Sequence, residues 1–344
     1  MYEHLSFIII FTMHLNPTLS KKILAWYDNS KRDLPWRVSK KSPKKLYYRL
    51  LSEFMLQQTQ VKTVLPYFKK FTKKFPTLES LSKSNEKQIL KMWEGLGYYR
   101  RARNLYACSN QLITIYKGKL PKTLDEIKKL PGIGDYTGSA LLGLVYDQPR
   151  IAVDGNVKRV FARNLNKKEA KIDFKKLVNF NSKMLFNNKR NADFVEALME
   201  FGALICRPKD PKCVVCCLNK TCKYLKSPKK IRTTSKKMFK NKNYDIFCFL
   251  NKKKQIALTK KNDFGFLKNF NLPMIKESKE NNTRSWKLLN NYNNSISNLK
   301  LNINLYYKFS NKIPSEYSWY SLEDKKEFMP SFTKKIFRQI SNLF

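Results

Sequence analysis

The chain has 344 residues, 42% of them hydrophobic, enough to bury a proper core and to favour two domains over one. Its 69 Lys and Arg stand against 26 Asp and Glu, a net charge of +43 that excludes cationic partners and suits a polyanion, although a Lys- and Asn-rich composition also follows from an AT-biased genome. The only histidines, His4 and His14, lie in the first fifteen residues, so triads and His-ligated zinc are excluded and any catalysis falls to carboxylates, Lys, Tyr or Cys.

Residues 1–16 read as an N-terminal extension whose apolar run, LSFIIIFTM, is too short to span a bilayer and lacks a basic flank or a cleavage site; Met13 is a second candidate start. The expected location is cytoplasmic, at the nucleoid in a bacterium. From 17 to 225 the pattern is helical. Leu19, Ile23, Leu24 and Tyr27 recur at helix spacing, as do Tyr47, Leu50, Leu51 and Phe54 around Glu53. An ionisable group in so apolar a helix, followed by Gln57, Gln58, Thr59 and Gln60, calls for an explanation. Thr123-Leu-Asp-Glu126 is a capping box that opens a short helix, and Tyr136 leads into the next.

Between these two helices KLPGIGDYTGSA places Gly132 and Gly134. Backbone N–H groups at such a helix start can hold a DNA phosphate without reading sequence, as in a helix-hairpin-helix; taken alone, PGIG is equally a tight interhelical turn. EGLGYYRRARNL, from Glu94, is a second Gly-bearing turn whose tyrosines and arginines suit stacking and phosphate contact. Further on, CRPKDPKCVVCCLNKTC supplies Cys206, Cys213, Cys216 and Cys222 at C-x6-C-x2-C-x5-C spacing. With no signal peptide these thiols point to a metal rather than disulfides; zinc and a [4Fe–4S] cluster both accept four sulfurs, and a single C-x-x-C with unequal arms favours the cluster. Cys217 is expected to point away from it, and Cys108 and Cys248 to be core residues.

Residues 226–243 hold eight basic residues and no acidic one, and read as a linker. After them the period changes to two. YDIFCFLNKKKQIALTKK predicts two strands around an NKKK turn, LNINLYYKF a further strand, and the residues from Ser331 a helix, with the Asn-rich stretch from Glu280 to Asn298 as a loop. The expected architecture is a mainly α domain, with a metal loop at 206–222, preceding a smaller α+β domain at 244–344.

The motifs LSEFMLQQTQV, GLGYYRRARNL, LPGIGDYT, AVDGNVKRV and the cysteine run, in this order, resemble the helix-hairpin-helix DNA glycosylases, and more narrowly the MutY-type adenine DNA glycosylases. The resemblance is strong over residues 19–225 and weak beyond. It implies a monofunctional enzyme of base excision repair that excises adenine mispaired with 8-oxoguanine or guanine in double-stranded DNA, acts as a monomer, and carries a [4Fe–4S] cluster on the four cysteines. Endonuclease III-like relatives carry a Schiff-base lysine where this chain has Tyr136, so strong lyase activity is not expected. Two other readings remain: such a glycosylase/lyase, and a non-catalytic iron–sulfur protein that only binds DNA.

Breaking an N-glycosidic bond requires a protonated base and a stabilised oxocarbenium ion, work suited to two carboxylates in different environments. The resemblance gives Glu53 as general acid, Asp154 as the group that stabilises or captures the sugar cation, and Tyr136 and Asn156 as its support. Burial should raise the pKa of Glu53, while a helix start with Lys158 and Arg159 should favour the ionised form of Asp154. The resemblance further implies that Gln58 and Tyr98 insert into the opened duplex, and that Arg32, Trp36 and Glu196 surround the extruded base. In the second domain it implies a Nudix-like lesion reader without a Nudix box between 264 and 300. The family's Phe-Ser-His loop appears as Phe309, Ser310 and Asn311; the histidine is missing.

Overall fold

A computed structural model describes residues 14–186, 189–228, 239–262, 264, 267–278, 283–296, 299–324 and 328–344. The extension before residue 14, most of the basic linker (229–238), and the Asn-rich positions 280–282 and 297–298 lie outside the described residues. Among the described residues no helix is long and apolar enough to cross a membrane. The chain forms two compact units: one takes residues up to Asn85 and Arg100–Ser235, the other Glu86–Tyr99 and Lys236–Phe344.

In chain order the helices are α1 (Leu19–Ser30), α2 (Lys45–Leu56), α3 (Val61–Lys74), α4 (Leu78–Ser82), α5 (Glu86–Trp93), α6 (Arg100–Thr114), α7 (Leu124–Ile127), α8 (Asp135–Tyr146), α9 (Gly155–Leu165), α10 (Phe174–Phe180), α11 (Ser182–Leu185), α12 (Asn191–Leu204), α13 (Lys223–Lys226) and α14 (Ser331–Ile340). In the first unit, α1, α9 and α12 share one core built from Leu19, Ile23, Phe161, Phe194, Leu198 and Phe201. A smaller cluster of Ala140, Leu144, Ala152 and Val195 joins α8 to α12. Only half of the expected capping box is present: Thr123 accepts from the Glu126 N–H at 3.3 Å, but the Glu126 carboxylate takes the Thr123 hydroxyl at 2.7 Å rather than its backbone N–H. Helix α2 buries almost every residue of its second half, Glu53 included.

In the second unit β1 (Lys240–Asn251) and β2 (Gln255–Leu258) form the expected hairpin. β3 (Met274–Glu277) shares the same edge of β1 with β2, β4 (Lys287–Ile296) and β5 (Leu299–Phe309) complete the other side, and β6 (Ser318–Ser321) pairs with β2. β5 runs parallel to β1 from Lys240↔Leu299 to Leu250↔Phe309. Helix α14 buries Phe332, Ile336 and Ile340, and Phe332 stacks on Phe264 at 5.4 Å.

Two expectations are corrected here. The Asn-rich stretch is not a loop over 287–296: it is the edge strand β4, because nine residues find antiparallel partners on β5, and that pairing overrides the poor strand propensity of Asn. Residues 86–99, read with the helices that flank them, fall in the second unit. There Tyr99 packs its ring on Phe270 and Phe328, and exchanges hydrogen bonds with Ser331.

Candidate active site

A cavity of about 540 Å³ opens in the first unit, within the range of small-molecule sites, and Glu53, Asp154, Tyr136 and Asn156 all line it. Glu53 reaches it from the last turn but one of α2, where it is only 6% exposed. Burial pushes its carboxyl up to about 7. Arg49 opposes that rise, Asp154 and Glu196 add to it, and a hydrogen bond from the Tyr136 hydroxyl lowers it again. The same hydroxyl lies 3.3 Å from Met199 Sδ. Burial, and then the charges of Glu53 and Asp154, raise the Tyr136 hydroxyl well above its ordinary value, so it neighbours both acids.

Asp154 is the N-cap of α9. One oxygen accepts from the Val157 N–H at 2.7 Å and the other from Asn156 Nδ2 at 2.8 Å. The expectation of a plainly favoured carboxylate is corrected: burial raises its pKa above the ordinary value, outweighing the opposing bonds from Val157 and Asn156. The helix end is there, but so is a protein wall in place of water. Asn156 is itself held, since its Oδ1 accepts from Arg159 at 2.7 Å while Arg159 also donates to the Gly202 and Cys206 carbonyls at 2.7 Å each. Gly202 makes this packing possible, because a Cβ there would come within 2.7 Å of Asn156.

The opposite wall is ionic, and most of it was not anticipated. Glu196 and Glu200, one turn apart on α12, are both buried. Glu196 is bound by Arg49, by the Tyr27 hydroxyl, and by Arg37 Nε at 3.4 Å. Glu200 receives the Arg32 backbone N–H at 2.8 Å, its Nε and Nη2 at 3.0 Å each, and Arg37 Nη2 at 2.5 Å. Burial pushes the Glu200 carboxyl up, but the Arg32 and Arg37 bonds overcome it and hold the group below its ordinary value. Arg32 and Trp36 line the cavity as expected; Arg32 is committed to Glu200 and the Trp36 ring packs edge-on to Phe68 at 5.2 Å. Glu200 sits at i+4 from Glu196, a signal open to sequence reading; Arg49, at i−4 from Glu53, is another.

The turn after α2 carries exposed Gln58 in the left-handed region at φ 57°, an uncommon state for a residue with a side chain. Arg101 fixes it: its Nη1 donates to the carbonyls of Phe54 (3.1 Å), Met55 (2.7 Å) and Gln57 (2.6 Å). This arginine, read as a phosphate contact, is buried and serves the fold. In the other unit Tyr98 is also left-handed, at φ 48°, and 45% exposed. Gly132 has φ +79° and no room for a Cβ, which would meet Asn104 and Phe54 within 3 Å. Gly134, at the start of α8, has nothing within 4 Å of where a Cβ would be, so the approach to the helix N-terminus is open.

Cys206, Cys213, Cys216 and Cys222 are free thiols. Among the described residues no three Cys, His, Asp or Glu side chains are drawn together as a metal-holding group. The thiols nevertheless influence one another: Cys217, Cys206 and Cys222 all act on Cys216, and Cys213 acts on Cys222, so Cys217 is not set apart from the other four. N–H groups point at them, from Arg163 to Cys206 at 3.5 Å and from Leu218 to Cys216 at 3.4 Å. Four soft donors with N–H groups aimed at sulfur are a set that fits a thiolate-bound cluster. In the second unit Phe309 is 49% exposed at the end of β5. Ser310 is not free to meet a purine edge, because its hydroxyl donates to the Lys312 carbonyl at 2.7 Å and accepts from the Lys312 N–H at 3.1 Å.

Residues 51–182, which carry both carboxylates and the hairpin, match the HhH-GPD superfamily of base excision DNA repair proteins. The fold agrees: a thermostable thymine-DNA glycosylase superposes with a TM-score of 0.54 at 29% identity, over 61% of this chain and 95% of that one. An endonuclease III trapped on DNA shares the fold at 21% identity and a TM-score of 0.52. Within this class of helical DNA-repair enzymes the chain belongs to the adenine DNA glycosylase family. It is 37% identical to the adenine DNA glycosylase of Buchnera aphidicola subsp. Baizongia pistaciae, over 92% of this chain and 95% of the relative. To that of Homo sapiens it is 35% identical, over 58% of this chain and 38% of the other.

Proposed function

We propose that this enzyme is a monofunctional glycosylase that removes adenine opposite 8-oxoguanine or guanine, with Glu53 as the acid and Asp154 as the partner of the sugar cation. The observation that carries the reading is a carboxyl with a pKa near 7 and a hydrogen-bonded second carboxylate lining one cavity. With a pKa of about 7, a large share of Glu53 still carries its proton near neutral pH. It gives that proton to N7 of the extruded adenine, so the base leaves neutral as the C1′–N9 bond breaks. Asp154 then faces the cationic sugar, and the N–H groups of Val157 and Asn156 hold its charge in place. Water adds to C1′, its proton passing to the Glu53 carboxylate, and leaves an abasic site. Tyr136, beside both acids on the cavity wall, keeps Glu53 aimed into the cavity.

Gln58, exposed and held left-handed, is proposed to fill the space the adenine vacates, Tyr98, likewise exposed and left-handed, to insert beside the lesion, and the open N-terminus of α8 at Gly134 to take a backbone phosphate. Phe309 is proposed to stack on the base opposite; with Ser310 engaged and no histidine, stacking is the main contact left. The four cysteines would hold a [4Fe–4S] cluster, which when bound supplies a rigid anchor for the basic loop Lys209–Lys212. Iron and sulfide analysis with a broad band near ~400 nm checks this, and zinc in their place would reject it.

The deciding assay is adenine release from duplexes with adenine opposite 8-oxoguanine, guanine and thymine. Release in the first two, strand breaks only after alkali, and a drop of about 10²-fold or more in E53Q are expected. No release, or an E53Q rate equal to wild type, would overturn the reading. Efficient borohydride trapping would instead indicate a lyase, with Lys62 on the cavity wall as the available amine.

A further inference from the structure

Arg49 precedes Glu53 by one turn on α2, on the same face, and is as deeply buried, yet the reaction described above gives it nothing to do. Its presence is chemically awkward. Both the protonated purine and the sugar left behind are cationic, and a bare guanidinium beside the acid would favour the carboxylate over the carboxyl. The anion that pairs with Arg49 is Glu196, reaching across from α12. One of its oxygens binds Arg49 Nη1, while the other takes the Tyr27 hydroxyl and Arg37. Glu196 cannot follow Arg49 toward Glu53, because Arg37 is tied in turn to Glu200, and Glu200 to Arg32. Arg49 Nε makes no hydrogen bond among the described residues, so the side chain is held from one end only.

From this geometry we infer that Glu196 is a positioning residue that holds the Arg49 charge against the cavity wall, and that the pair sets where the alkaline arm of the pH–rate profile falls. Besides Arg32, Arg37, Lys62 and Glu200, which line the same cavity, four groups act most on Glu53: Arg49 on α2, Tyr136 on α8, Asp154 at the start of α9, and Glu196 on α12. Of these four only Arg49 is a cation and only Glu196 neutralises it. The two therefore act on Glu53 with opposite sign, Arg49 lowering and Glu196 raising its affinity for the proton. The inference rests on Glu53 being the acid, whose protonated form is lost as pH rises.

The test is single-turnover adenine release from an adenine:8-oxoguanine duplex, from about pH 5 to about pH 9, for wild type, R49M, R49K and E196Q. R49M is expected to move the alkaline arm up by about one pH unit and E196Q to move it down by about as much, whatever happens to the plateau rates; R49K should restore the wild-type position. A purely structural role would scale the plateau and leave the arm where it was. If R49M does not fold, as judged by its thermal melt, E196Q against R49K still decides. Arms that move together, or do not move in an enzyme that releases adenine, overturn the inference; a wild-type protein that releases none overturns the proposed function instead.

Discussion

Glu53 shows how far one residue can be read from sequence. Helical periodicity places it among Leu50, Phe54 and Met55, and elementary desolvation then raises its pKa. Asp154 was half legible: its cap was, its burial was not, because the cover comes from residues far along the chain. The same holds for the ionic wall, whose Arg49–Glu196 and Tyr27–Glu196 bonds span 147 and 169 residues. Keeping Glu53 buried has a cost. Its folded pKa of about 7 lies above the ordinary 4.5, so the folded state loses ground to the unfolded one as pH rises from about 4.5 to about 7. E53Q is therefore expected to be more stable than wild type at pH 8, by up to about 3 kcal/mol, with the difference vanishing near pH 4.5; urea melts at the two pH values measure it. D154N keeps a good helix cap and loses a charge that burial disfavours, so at neutral pH its melt should be no lower than that of wild type while adenine release falls steeply.

At the scale of elements, the turn after α2 depends on an arginine from another helix. Removing the Arg101 donor leaves three carbonyls without it, so R101M should destabilise the first unit by about 2–3 kcal/mol. It should also slow base release by unsettling Gln58, without moving the alkaline arm. The packing of α12 on the start of α9 makes a second case. In G202A the added methyl would displace Asn156, and the turnover rate should fall while duplex affinity is kept. Helix starts, the Thr123 cap and the β1–β2 hairpin were legible because their signals are local. The strand β4 was not, because Asn carries a turn signal and the pairing that overrules it is with β5.

For the molecule as a whole, charge is the dominant property. A chain of +43 that neutralises phosphates should lose duplex affinity steeply with salt, and about equally for matched and mismatched DNA. Fluorescence anisotropy across a potassium chloride series checks this; a flat response would refute it. Two units were legible from the change of hydrophobic period after residue 243. The membership of residues 86–99 was not, since it depends on Tyr99 meeting aromatic partners at 270 and 328.

The two acids also differ in what relaxed selection would do to them. Position 154 would keep an Asp or Asn for the sake of its helix long after the chemistry was gone. Position 53 has no such shelter: most neutral replacements there would be gains for the fold, so genetic drift would erase the glutamate early.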